Sequence, residues 1–262
     1  LIVVVLISLM AIFAVWVAPY PQHAGAFTDF ANAGRPPGAP YLLGTDMIGR
    51  DILSRIIFAF RSALLMGVVV LALAAPFGVL LGLIAGYFHD TYLDAIIMRV
   101  TDVFISVPAL ILALAVASVL EPNLTNAMIA VTVMWWPWYV RLVYGLSSAL
   151  RNEEFVKSAE LVGASKAHIL FREILPNCLG PIFTKMSLDM AFVIIIGASL
   201  SFVGLGEQAP RAALGTMVAD GARHLPDQWW IPTFPSLAIV ILVLGFNLLG
   251  DGLHDLFGSE RA

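Results

Sequence analysis

The chain has 262 residues, 60% of them hydrophobic and only 12% charged, with a formal net charge of −4 at pH 7. So apolar a composition excludes an ordinary soluble domain, and so small a negative charge carries no nucleic-acid signal. The single cysteine, Cys178, excludes a disulfide framework, and the five scattered histidines (His23, His89, His168, His224 and His254) give no metal-ligand spacing.

Six stretches contain no Asp, Glu, Lys or Arg: 1–28, 62–89, 103–120, 122–140, 190–206 and 228–250. A helix crosses the hydrocarbon core with about 20 apolar residues, so each stretch predicts one span, with 103–120 and 190–206 the weakest. The runs are continuous and do not alternate, which favours helices over a barrel, because lipid leaves backbone groups no partner outside the helix. The expected fold is an all-α membrane protein, one domain over 1–262, with six transmembrane helices at about 1–18, 62–88, 103–120, 122–142, 186–206 and 232–250.

In chain order, "LIVVVLISLMAIFAVWVAPY" lacks the initiating Met and basic flank of a secretory signal. It reads as the first span, preceded by a cytoplasmic tail, with Trp16 and Tyr20 as interfacial anchors. The outer loop 19–61 ends in "LLGTDMIGRDILSRIIFAFRSAL", where Asp46/Arg50 and Asp51/Arg55 stand at i,i+4 and Ile48, Ile52, Ile56 and Phe60 stripe one face. Both an amphipathic helix on the membrane interface and a plain extension of the next span fit this pattern. Arg99 and Asp102, at i,i+3, fit a local ion pair or a gate contact. Pro108 and Pro137 predict kinks. The loop 143–184 and its flanks hold Arg141, Arg151, Lys157, Lys166, Arg172 and Lys185, six of the 14 basic residues, so it is expected in the cytoplasm, although Arg35, Arg50, Arg55 and Arg61 lie on the opposite side. The outer loop 207–231 ends in Trp229 and Trp230, an aromatic belt. Asn247 and Asp251, at i,i+4 in the last span, border a cytoplasmic mouth or join helices. Any solute pathway lined mainly by spans this neutral and apolar would bind its solute weakly.

The stretch "NEEFVKSAELVGASKAHILFREILPN", residues 152–177, is charged where its neighbours are greasy. Phe155, Ser158, Ala159 and Val162 share one helical face, with Glu153, Lys157 and Glu160 opposite and a favourable Glu153/Lys157 spacing. Gly163 suits a left-handed C′ position, Ser165 can cap a second helix striped by Ala167, Leu170, Phe171 and Ile174, and Pro176 is expected to limit that helix. Its bases and acids balance, so anionic lipid gains little from it. A bland connector and a plug for a partner's groove, centred on Ala159, remain as readings.

Here the residues resemble the EAA loop of prokaryotic ABC importer permeases. Aligned on Gly163 and on Leu175-Pro176, the family's Glu-Ala-Ala triplet falls on Lys157, Ser158 and Ala159, so Lys157 and Ser158 depart from it while Ala159 agrees. "LGTDMIGRDILSR", "RVTDVFISVPALILAL", "WWPWYVRL", "SLSFVGLG" and "FNLLGDGLHD" are similar, in order, to the C-type permeases of dipeptide, oligopeptide and nickel importers. The resemblance implies a multi-pass subunit of the prokaryotic inner membrane, surrounded by lipid. It implies partners: a homologous second permease subunit, an ATP-binding ATPase subunit and an extracytoplasmic solute-binding protein that delivers short peptides, with nickel or another small solute as the alternative cargo. It also implies a coupling helix that docks on the ATPase through Phe155, Ser158, Ala159, Glu160, Val162, Gly163, Ala164 and Ser165. The gate or pathway candidates read from the residues are Arg99, Asp102, Asn247 and Asp251.

A P-loop needs Gly-Lys followed by Ser or Thr, whereas Lys157, Lys166 and Lys185 follow Val156, Ser165 and Thr184. No cofactor is therefore expected on this chain, and ATP and Mg fall to the partner ATPase. A stand-alone channel or ion-driven transporter, with 152–177 as a connector, is the other class. The sequence shows no catalytic constellation, which weighs against a membrane-embedded hydrolase and against any enzyme.

Overall fold

The computed structural model describes residues 1–258, which form helices and loops apart from one isolated bridge between Thr45 and Asp51. Two short helices, α1 (Ile2–Ile12) and α2 (Ala14–Val17), lead into a loop with two 3-10 turns. The helix α3 (Ile52–Tyr87) then runs unbroken for 36 residues. Its start decides between the two readings of 43–61. Asp46 accepts the amides of Ile48 and Arg50, and Gly49 has φ +82°, so 46–50 is a turn, closed by the Arg50–Asp46 ion pair at 2.7 Å. Asp51 caps α3 by accepting the Ser54 amide at 2.8 Å. Ile52, Ile56 and Phe60 therefore belong to the first turns of the long helix, buried in the core rather than laid on lipid.

Helix α3 packs along α6 (Leu124–Leu150), and this is the most extensive helix contact in the bundle. Gly78, Gly82 and Gly86 stand four apart on the facing side. A Cβ on Gly82 would lie 2.7 Å from the carbonyl oxygen of Val140, and one on Gly86 equally close to that of Tyr144. Such a small-residue stripe lets two backbones touch, which matters in lipid, where no hydrophobic drive brings helices together. Ser147 adds a hydrogen bond from its hydroxyl to the Leu83 carbonyl at 3.1 Å.

Between these two, α4 (Tyr92–Ser106) and α5 (Ala109–Val119) meet at an angle of 89°. Pro108 has no amide and disfavours helical backbone at Val107, whose ψ is 131°, so the apolar run 103–120 is broken rather than straight. Pro137, by contrast, lies inside an uninterrupted α6.

After α7 (Glu154–Leu161) come a short turn of helix α8 (Lys166–His168), a π-helical turn (Ile169–Ile174) and α9 (Leu175–Phe202), which together form one helical run of 37 residues. The expected stop at Pro176 does not occur. The wider i→i+5 turn has already shifted the preceding carbonyls where the proline ring and its missing amide would otherwise break the ladder. Helices α10 (Leu214–Ala222) and α11 (Trp230–Gly258) complete the chain, with α11 packed along α9. Among the described residues, three helical runs are long and apolar enough to cross a membrane: 52–87, 166–202 and 230–255. The bent α4–α5 pair makes a fourth if it counts as one span.

The loop before α3 is held by His23, which is 2% exposed and stacked on Phe27 with ring centroids 4.0 Å apart. Its Nδ1 accepts the Asp51 amide at 2.9 Å, a bond that needs the neutral ring. Burial lowers the His23 pKa from its ordinary 6.5, outweighing the pull of Asp51. A lowered histidine pKa means stability that is fully present above 6.5 and is lost as pH falls through and below that value. Acidification from about pH 7.5 to about pH 5 should therefore speed hydrogen exchange at the Asp51 amide, beyond the ordinary pH dependence of exchange. Protection unchanged across that range would contradict the assignment.

Candidate functional site

Helix α7 projects from the end of the bundle where α3 and α6 finish. Its sequence rules are local: the chain leaves α7 through a Schellman turn, in which the Ala164 amide reaches the Ala159 carbonyl and the Gly163 amide reaches that of Glu160, both at 3.0 Å. Gly163 sits at φ +82° with nothing within 4 Å of where a Cβ would stand, so the glycine is needed for its backbone and not for space. The Ser165 hydroxyl then accepts the His168 amide at 3.2 Å and caps the next helix.

Two contacts fix α7 to the bundle, and a third holds the start of α8. Val156, fully buried, inserts into the cluster of Tyr87, Val143, Ile169 and Ile174, a burial that stabilises by about 2 kcal/mol. The Tyr87 hydroxyl donates to Glu160 at 2.8 Å, and Lys166 covers the Phe88 ring at 4.8 Å. With those residues turned inward, the outward side of α7 carries Leu161 at 88% exposure and Val162 at 84%, next to half-open Phe155. These large aliphatic groups are left bare on a segment otherwise rich in charge.

Of the expected docking residues, Phe155, Ser158, Val162, Gly163 and Ser165 lie in the open. Ala159, expected at the centre of that face, and Ala164 are half-buried against the bundle, because the axis of α7 is set by Val156. Glu160 is exposed but engaged with Tyr87. Leu161 was missing from the expected set, although an aliphatic pair just before a C′ glycine was there to be noticed. Tyr87 lies 73 residues from its partner, and no spacing rule reaches it. Glu153 and Lys157 form no ion pair among the described residues.

The pathway candidates do not converge. Asp102 pairs with Arg141 of α6 rather than with Arg99, which is exposed. No hydrogen bond or ion pair joins Asn247 to Asp251, or either of them to Arg99 or Asp102, among the described residues. The bundle holds a polar group that the expectation of neutral spans passed over: Asp189 on α9, 4% exposed, is paired with Lys185 at 3.0 Å and accepts the Trp135 indole of α6 at 3.0 Å. Its signal was the Lys185/Asp189 spacing at the edge of an apolar run. A charged pair so deep in a membrane helix turns toward protein or water, not lipid.

Known proteins match this chain closely. It is 41% identical to the probable D,D-dipeptide transport system permease protein DdpC of Escherichia coli K12, over 99% of this chain and 86% of that one. Dipeptide transport system permease proteins DppC are similar too, from Haemophilus influenzae at 40% identity, covering 97% of this chain and 87% of the relative, and from Escherichia coli K12 at 42%, covering 97% and 86%. Among solved structures, an inward-facing form of the MetNI methionine ABC transporter shares the fold, with a TM-score of 0.59 at 19% identity over 77% of this chain and 95% of that one. Residues 78–261 match the family described as binding-protein-dependent transport system inner membrane component. With that match across most of its length, and relatives this similar from end to end, the chain belongs to the binding-protein-dependent transport system inner membrane component family.

Proposed function

We propose that this chain is a permease subunit of an ATP-driven importer of short peptides, pairing with a homologous second permease subunit and receiving cargo from an extracytoplasmic binding protein. It crosses the membrane six times, through α1–α2, α3, the bent α4–α5 pair, α6, the α8–α9 run and α11. The loop containing α7 faces the cytoplasm, where its surface seats in a groove of a separate ATPase that binds ATP and Mg. The observation that carries this reading is the Leu161/Val162 pair, almost wholly exposed yet held rigidly by Val156 and by the Tyr87–Glu160 bond. A short helix with apolar anchors suits a partner's groove, and rigid attachment lets a change of partner state bias the bundle.

Lys157 stands where the family resemblance expects an acid, and Glu160 is committed to Tyr87, so Glu154 is the acid that reaches the ATPase. Asp102 with Arg141, together with Asn247 and Asp251, borders the cytoplasmic mouth of the pathway. The relatives named for dipeptide transport support the cargo class.

Purification from native membrane in mild detergent tests the assignment. An ATPase carrying a Gly-Lys-Ser/Thr loop should come down with this chain, and the reconstituted complex should take up a labelled dipeptide only with ATP. A chain that purifies alone and conducts ions would make it a channel instead.

A further inference from the structure

At the end of α3 remote from α7, the turn 46–50, α3, α10 and the loop before α11 form a cavity of about 260 Å³. Its wall carries Asp46, Arg50, Arg55, Asp220, Arg223 and His224. Arg55 is the unusual member. Its side chain is 5% exposed, yet among the described residues one of its five N–H donors makes a hydrogen bond, to the His23 carbonyl at 3.3 Å, while Nε stands 3.7 Å from Asp46. Asp46 is already occupied by two amides and by Arg50 at 2.7 Å, and Asp51 is spent on capping α3. A guanidinium nine-tenths buried and short of acceptors is unfavourable until an anion reaches it.

The rest of the wall says which anion. Arg50 lies beside Arg55, and Arg223 makes no ion pair or hydrogen bond among the described residues, so guanidinium groups outnumber carboxylates. Asp220 likewise has no hydrogen bond or ion pair among them, which leaves one acid opposite the cations. The volume lies just below the roughly 300 Å³ at which sites for drug-sized ligands begin, so it suits a ligand of one or two residues. A small molecule with a carboxylate at one end and an ammonium at the other matches this wall.

We propose that the cavity is an outer receiving site for short peptides, where Arg55, backed by Arg50 and Arg223, binds the C-terminal carboxylate and Asp220 faces the N-terminal ammonium. This rests on the peptide-import reading above and adds the point at which the permease itself recognises cargo. The orientation follows from that reading: with α7 in the cytoplasm, the far end of α3 is outside. The same carboxylate chemistry could come from an acidic side chain of the docked binding protein, and the test separates the two sources.

The test measures equilibrium binding of radiolabelled Ala-Ala and of its C-terminal amide to the complete importer in lipid nanodiscs, without binding protein. The free acid should bind about tenfold tighter than the amide or better, since a hydrogen-bonded charge pair is at stake. Arg55→Met should remove that preference. Arg223→Gln, at an exposed position whose loss leaves the packing intact, should weaken the acid about threefold without changing the amide. Equal binding of acid and amide in the wild type, or an undiminished preference in both variants, overturns the proposal. Sensitivity to Arg55 that appears only after binding protein is added gives the carboxylate to that partner and overturns the cargo assignment as well. Vesicles that take up Ala-Ala while the complex binds acid and amide alike refute the cavity alone, whereas vesicles that take up no peptide refute the import reading.

Discussion

Gly82→Leu is expected to prevent α3 and α6 from packing, lowering stability by more than about 3 kcal/mol, above the ordinary range for overfilling a core. The reason is what stands opposite. At Gly82 a Cβ would meet the Val140 carbonyl at 2.7 Å, the Val143 side chain at 2.9 Å and the Tyr144 amide at 3.1 Å, so most of the obstacle is backbone that cannot change rotamer. Separating the two helices would also strip Gly78 and Gly86 of their contacts and break the Ser147–Leu83 hydrogen bond. Thermal melting and size-exclusion profiles of the detergent-solubilised protein check this. Gly145→Ala is the control, because nothing lies within 4 Å of its Cβ position, and it should gain up to about 1 kcal/mol of helix propensity. A Gly82→Leu protein that runs monodisperse and melts with the wild type would mean that the α3–α6 contact is not close.

The double variant Leu161→Asp/Val162→Asp is expected to lower ATP-driven uptake by about a hundredfold while the protein still folds and reaches the membrane. Each side chain is more than four-fifths exposed, so no packing within the bundle is lost, whereas removing a central apolar anchor from an interface costs about 2 kcal/mol or more. Loss of the co-purifying ATPase should accompany the loss of uptake. Normal uptake would place the docking surface elsewhere. Gly163→Val acts through the backbone instead, forcing a β-branched residue to φ +82° at about 1–2 kcal/mol and re-aiming Leu161 and Val162 without unseating Val156. It should leave the ATPase bound but uncouple hydrolysis from uptake.

Rules that span a few residues read this chain well. Charge-free runs gave the helical class, and Gly163 and Ser165 gave the corner after α7, because a C′ glycine and a serine cap satisfy backbone groups beside them. Spacing misled where the same separation serves two geometries: Asp46 and Arg50 pair across a turn, not along a helix. Proline was ambiguous for a related reason. Pro108 ends its helix and Pro176 does not, since the π turn that accommodates Pro176 depends on how Ile169, Leu170 and Ile174 pack into the bundle. The contact that orients the candidate site was out of reach, because Tyr87 finds Glu160 across 73 positions, just as Asp102 finds Arg141 across 39 and Trp135 finds Asp189 across 54 elsewhere in the bundle.

Helix α3 carries Arg55 near its first turn and Tyr87 at its last, about 48 Å of rise apart. It is therefore a rod with a buried guanidinium at one tip and the seat of α7 at the other. A rod of this length tilted by about 5° at one tip sweeps the other through about 4 Å, more than a hydrogen bond survives. Pro76, which removes the amide that would bond to Ala72, lies nearer the α7 tip than the cavity. Under the docking proposed above, a small stroke at the α7 tip is geared up, and the cavity at the other tip is where the largest displacement arrives.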